Sequence, residues 1–73
     1  MEASTLKRLT KREIGILQLI AEGLSTNELA EKLYLSSYTI YTHRRNILRK
    51  TGKKDITAVI MMAIQHKVVH TAK

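Results

Sequence analysis

Apolar residues recur at intervals of three and four through most of this chain, in stretches separated by short polar breaks. Ile14, Leu17, Ile20, Ala21 and Leu24 form the first stripe, the spacing of one buried helix face. Before it stands T-K-R-E over residues 10–13, a Thr N-cap with Glu three positions on, which is a capping box. Gly23 is the expected stop. Gly15 inside this helix should cost about 1 kcal/mol against alanine, and close approach of another helix is the expected compensation. A second box, S-T-N-E over residues 25–28, opens a short helix that turns Leu29, Ala30 and Leu33 inward. Tyr34 and Leu35 make a tight connection, with Leu35 plugging the gap to the next helix.

That next helix starts at Ser36 or Ser37, both good N-cap types, and ends at Gly52, which suits a left-handed position. Its faces differ. Ile40, Ile47 and Leu48 share one side, while Tyr38, Tyr41, Thr42, Arg45 and Arg49 share the other. Asp55 caps a fourth helix, I-T-A-V-I-M-M-A-I-Q-H-K-V-V. Ile56, Val59, Met62 and Ala63 suit its buried stripe, with His66 in line. Ile60, Met61, Ile64 and Val68 remain outside that stripe, and an exposed apolar face marks an interaction site. The pattern therefore predicts an all-α fold of four helices over residues 10–70. Residues 1–9 show no periodicity and read as a flexible arm or linker remnant. Two helices joined by a turn of three to four residues, the second carrying the cations, make a helix-turn-helix.

Charge sharpens this picture. The net charge is +7, and it is unevenly placed. Residues 1–37 balance Lys7, Arg8, Lys11, Arg12 and Lys32 against Glu2, Glu13, Glu22, Glu28 and Glu31. Residues 38–73 set Arg44, Arg45, Arg49, Lys50, Lys53, Lys54, Lys67 and Lys73 against Asp55 alone. A localised basic patch is the electrostatic footprint of nucleic-acid binding. Arg45 has the fork that matches the O6 and N7 acceptors of guanine. Arg49, one turn on, should rise towards the phosphate backbone, followed by Lys50, Lys53 and Lys54. Arg44 and His43 turn towards the core side.

Composition excludes other classes. Seventy-three residues make one small domain with a modest core. There is no cysteine, hence no disulfide and no Cys-based zinc site. His66 and His70 stand at i and i+4 but lack a third ligand nearby, so no metal is expected. No Gly-rich phosphate loop and no nucleophile-base spacing occurs, so neither an enzyme nor a cofactor is expected. No apolar run reaches the length of a membrane span, and residues 1–8 lack the apolar centre of a signal peptide. The expectation is a soluble, cytoplasmic protein. Three other readings stay open on the residues alone. The fourth helix is the docking face of an interaction module, the chain is a basic peptide on a membrane surface, or it binds RNA.

The blocks L-T-K-R-E, L-I-A-E-G-L-S-T-N-E-L-A-E-K-L, S-S-Y-T-I-Y-T-H-R-R-N-I-L-R-K and T-A-V, in this order and spacing, resemble the LuxR/GerE-type helix-turn-helix domain of bacterial transcription regulators. The resemblance covers roughly residues 9–69. It implies four helices, with a recognition helix over about residues 37–50 lying in the major groove and the fourth supporting a homodimer on paired half-sites. It implies sequence-specific binding of double-stranded DNA for transcription regulation. Such domains commonly form the output end of response regulators or quorum-sensing receptors, which leaves room for a receiver or sensory domain outside these residues; some stand alone. By position, Tyr41, Thr42 and Arg45 match the base-facing residues. Thr39 and Lys50 match positions near the phosphates, where Ser37, Tyr38, Arg49, Lys53 and Lys54 are expected as well. Ile60, Met61, Ile64 and Val68 are the expected dimer contacts. Tyr41 stands where the family often has a cation, Thr51 where leucine is usual, and Gly15 where a charged residue is common.

Overall fold

The computed structural model describes residues 5–70. Four helices lie wholly within the described residues: α1 (Lys11–Ala21), α2 (Thr26–Leu33), α3 (Ser37–Thr51) and α4 (Ile56–Gln65). Each begins where a side chain accepts an otherwise orphaned backbone N–H. Thr10 and Ser25 cap α1 and α2 in complete capping boxes with Glu13 and Glu28. Ser36 rather than Ser37 caps α3, accepting from the Thr39 N–H, and Asp55 caps α4 through the Ala58 N–H.

The helices also end by one device. A residue of positive φ follows each: Gly23, Tyr34, Gly52 and Lys67. After α1, α2 and α4 two backbone bonds close the end in a Schellman arrangement. Leu24, Leu35 and Val68 N–H groups reach back to the carbonyls of Leu19, Ala30 and Ala63, and Gly23, Tyr34 and Lys67 to those of Ile20, Glu31 and Ile64. The apolar residue after each left-handed turn folds against the core. At α3 a single bond from the Gly52 N–H to the Leu48 carbonyl suffices, at 2.8 Å. Thr51, where leucine is usual, donates its hydroxyl to the Ile47 carbonyl at 2.9 Å and stays half-buried.

The core consists of two apolar clusters. Ile16, Leu29, Ala30 and Ile40 join α1, α2 and the first half of α3. Leu17, Ile47, Val59, Met62 and Ala63 join α1, the second half of α3 and α4. Helix α1 serves both clusters through adjacent residues, which the sequence periodicity does not convey: Ile16 is fully buried, while Ile14, Ile20 and Ala21 are only half so.

Two expectations fail at the ends of the described chain. Residues 1–9 were expected as an arm, yet Leu6 and Leu9 are buried in the second cluster. A turn held by Arg8 N–H to Thr5 and Leu9 N–H to Leu6 brings these two residues to the same side. Residues 1–4 of the expected arm lie outside the described residues. The fourth helix stops at Gln65 rather than running through the apolar stretch to Val69. Lys67 at φ 60 reverses the chain and carries Val69 back into the core, while His66 is left exposed. Gln18 fastens this return by pairing its side-chain amide with the backbone of His70, both hydrogen bonds 2.9 Å long.

Gly15 has no neighbour of the expected kind. A Cβ built on it meets nothing within 4 Å, and the residue is exposed inside α1. Gly15→Ala should therefore stabilise the domain by about 0.5–1 kcal/mol, read as a rise of several degrees in thermal midpoint. An unchanged or lower midpoint would mean that α1 needs flexibility at this point.

Candidate nucleic-acid interface

Helix α3 is bound from behind and open in front. Ile40 and Ile47 are fully buried, and polar contacts pin the helix to α2 from the same side. The Ser37 hydroxyl donates to the Asn27 side-chain oxygen at 3.1 Å. Arg44, expected towards the core, lies half-buried and reaches the Thr26 hydroxyl at 3.0 Å. His43 is half-buried beside it. The helix contains no acid, so no carboxylate along it competes for its arginines.

The opposite face carries the residues singled out by sequence. Tyr38 is 75% and Tyr41 59% exposed, and Arg45 and Arg49 are exposed. Arg49 is tethered by a 3.3 Å bond to the Asn46 side-chain oxygen. Arg45 makes no hydrogen bond or ion pair with any described residue, so all its donors face outward. Thr42 donates its hydroxyl to the Tyr38 carbonyl one turn back, at 3.1 Å. Its methyl and its oxygen lone pairs are what remain for a ligand, which suits a thymine methyl or an amino donor. Thr39 shares a hydroxyl–hydroxyl bond with the cap Ser36 at 2.9 Å. Lys54 is exposed in the following turn, and Lys53 half-buried.

Lys50, expected near the phosphates, has a partner within the fold. Its ammonium donates to both oxygens of Glu13, at 2.9 and 3.0 Å, in an ion pair whose side chains are 22% and 5% exposed. The pair forms because the end of α3 packs beside the start of α1. Glu13 also accepts from the Thr10 backbone N–H at 2.8 Å. Burial by itself would push the Glu13 carboxyl up; the Thr10 N–H and the Lys50 ammonium outweigh burial and hold it below its ordinary value. Sequence spacing gave no sign of this pair, whose members are 37 residues apart.

Ile60, Ile64 and Val68, expected on the outer face of α4, are half-buried against the domain's own core. Met61 alone of the four is bare, at 66% exposure. It borders a shallow groove with Ala58, Met62, Ile64 and Gln65. Among the described residues no helix is long and apolar enough to cross a membrane, and no three His, Cys, Asp or Glu side chains gather as metal ligands.

A short helix pinned behind a second, solvent-facing helix of tyrosine, threonine and arginine is the arrangement of a DNA-reading helix-turn-helix. The family GerE, bacterial regulatory proteins of the luxR family, matches residues 7–63. The chain belongs to the LuxR family. As a LuxR-type helix-turn-helix it is a DNA-binding domain of transcription regulation. It is 42% identical over 60 residues to the uncharacterized transcriptional regulatory protein YxjL of Bacillus subtilis, covering 82% of this chain and 28% of that protein. It is 40% identical over 63 residues to the oxygen regulatory protein NreC of Staphylococcus aureus, covering 86% and 29%. The chain thus spans under a third of the length of these relatives.

The Glu13–Lys50 pair makes stability depend on acidity. A carboxyl held low in the folded state stabilises fully above its unfolded value, near 4.5. That contribution is lost as pH falls below 4.5 towards the folded value. Glu13→Gln keeps an acceptor for Thr10 but not the charge. It should cost about 1–3 kcal/mol at pH 7, with the gap to wild type narrowing at acidic pH. Urea denaturation at both pH values reads this; a gap independent of pH would show that the ion pair contributes nothing.

Proposed function

We propose that this LuxR-family domain binds double-stranded DNA sequence-specifically, with α3 in the major groove. The observation that carries the reading is Arg45: an unpartnered guanidinium on the open face of a helix without acids. In this reading Arg45 takes guanine through O6 and N7. Thr42 meets a thymine methyl or an amino group, and Tyr41 a base edge beside it. Ser37, Tyr38, Thr39, Arg49, Lys53 and Lys54 lie along the phosphates, where they position the helix without carrying sequence information. Lys50 braces α3 through Glu13 instead of neutralising a phosphate.

The domain acts as a homodimer on paired half-sites, through the outer face of α4. Met61 lies at the centre of this contact, with Ile60, Ile64 and Val68 flanking it. The matched stretch makes up less than a third of each relative, which supports a role as the DNA-reading part of a larger cytoplasmic regulator with a receiver or sensory domain. No catalytic step belongs to this reading.

Selection of bound duplexes from a randomised pool, at about 150 mM salt where non-specific binding is weak, tests specificity. The expected result is a two-fold-symmetric motif with half-sites about one helical turn apart. Arg45→Ala should relax one base position per half-site and cost about 1–3 kcal/mol. A flat pool, or an Arg45→Ala variant with unaltered preference, would sink the assignment. For the dimer, Met61→Glu places a charge on the exposed face without entering the core. It should reduce the bound stoichiometry from two copies to one per duplex; an unaltered stoichiometry would remove α4 from the interface.

A further inference from the structure

The chain has three aromatic residues, all tyrosines. None is in the core. They fall at positions 34, 38 and 41, and they are 94%, 75% and 59% exposed. Aromatic side chains are usually the largest contributors to a core; here they are concentrated on the turn into α3 and its first turns. Tyr38 and Tyr41 belong to the face already described. Tyr34 does not, and the domain itself offers no reason for it.

Its backbone is left-handed, φ 58 and ψ 42, a conformation that suits glycine or asparagine and is disfavoured for a bulky side chain. The helices before and after, α1 and α3, meet the same need with Gly23 and Gly52. Lys67 after α4 is the other non-glycine case, but its long chain is flexible. Tyr34 has a rigid ring that packs on nothing. Its hydroxyl bonds to no described residue. Left-handed backbone kept by a residue that gains no contact within its own domain is strain of the kind that points outward.

Location supplies the partner. Tyr34 precedes the Ser36 cap by two residues and the start of α3 by three. Recognition helices lead into the major groove with their N-terminal residues. That groove is about 12 Å wide and bounded by phosphates. Three residues of chain span at most about 11 Å, so a side chain at position 34 is within reach of one of these phosphate ridges. A phenol there has a donor for an anionic oxygen and a flat face for the deoxyribose.

We propose that Tyr34 is a DNA-backbone contact: its hydroxyl donates to a phosphate at the groove edge and its ring packs on the adjoining sugar. This rests on the DNA reading above and adds to it a contact from the turn itself. The contact is neutral and displaces no counterion, so it adds affinity without steepening the salt dependence.

The test compares wild type with Tyr34→Gly and Tyr34→Phe. Each is titrated by fluorescence anisotropy over a salt series against the selected duplex, or against mixed-sequence duplex if selection yields no motif. Tyr34→Gly relieves the backbone and should raise the thermal midpoint. It should also weaken DNA binding, roughly three- to tenfold, with the salt slope unaltered. These opposite signs separate a contact from a structural role, for which stability and affinity would rise together. Tyr34→Phe retains ring and backbone and should weaken binding at an unaltered midpoint. If Tyr34→Gly binds as tightly as wild type, the proposal is overturned. If Tyr34→Phe does so, the hydroxyl–phosphate bond is overturned. A wild type that binds no duplex fails at an earlier point, overturning the DNA reading itself.

Discussion

Ile40 and Ile47 stand two turns apart on α3, and each is fully buried in a different apolar cluster. The rest of the arrangement follows from that double anchoring. A helix fastened at two points along one side cannot roll, so its other side keeps a fixed aspect without any bond of its own. Arg45 can then remain wholly unpartnered and still be held in place. Glu13 contributes at the far end, where it absorbs the charge of Lys50 and ties the last turn of α3 to the first of α1. The polar pins from Asn27 and Thr26 do the same for its first residue and its middle, through Ser37 and Arg44. Much of the ordering of this LuxR-family surface is therefore done from the packed side of α3.

The cationic half of the sequence is less uniform than its composition implies. Lys50 is neutralised within the fold, Arg44 is turned to a hydroxyl on α2, and Arg49 is drawn to Asn46. Arg45 and Lys54 remain without partners among the described residues. The positive field is the sum of all of these, but directional hydrogen bonding is reserved for very few.

Much of the fold was legible because its determinants are local. Thr10 with Glu13, Ser25 with Glu28, and Asp55 mark helix starts through contacts three residues long, and Gly23 and Gly52 mark ends by their chemistry. Tyr34 and Lys67 perform the same task with residue types that give no such signal, so the fourth helix read four residues too long. Leu6 and Leu9 form a pair too short to establish a period. The outward face of α3 could be read because exposure follows from helix geometry once the buried stripe is known. Lys50 could not: in sequence it is one cation among six, and only packing of α3 beside α1 brings Glu13 to it.

The clamp between Gln18 and His70 has a practical corollary. The family match ends at residue 63, and the last helix at 65. A designer trimming this module for fusion to another protein would naturally cut there. Yet Val69 fills the core from beyond that cut, and Gln18 grips the backbone one residue further on. At the other side Leu6 lies before the matched segment and is equally buried. A cut inside Leu6 or His70 would therefore remove contacts that the folded domain makes.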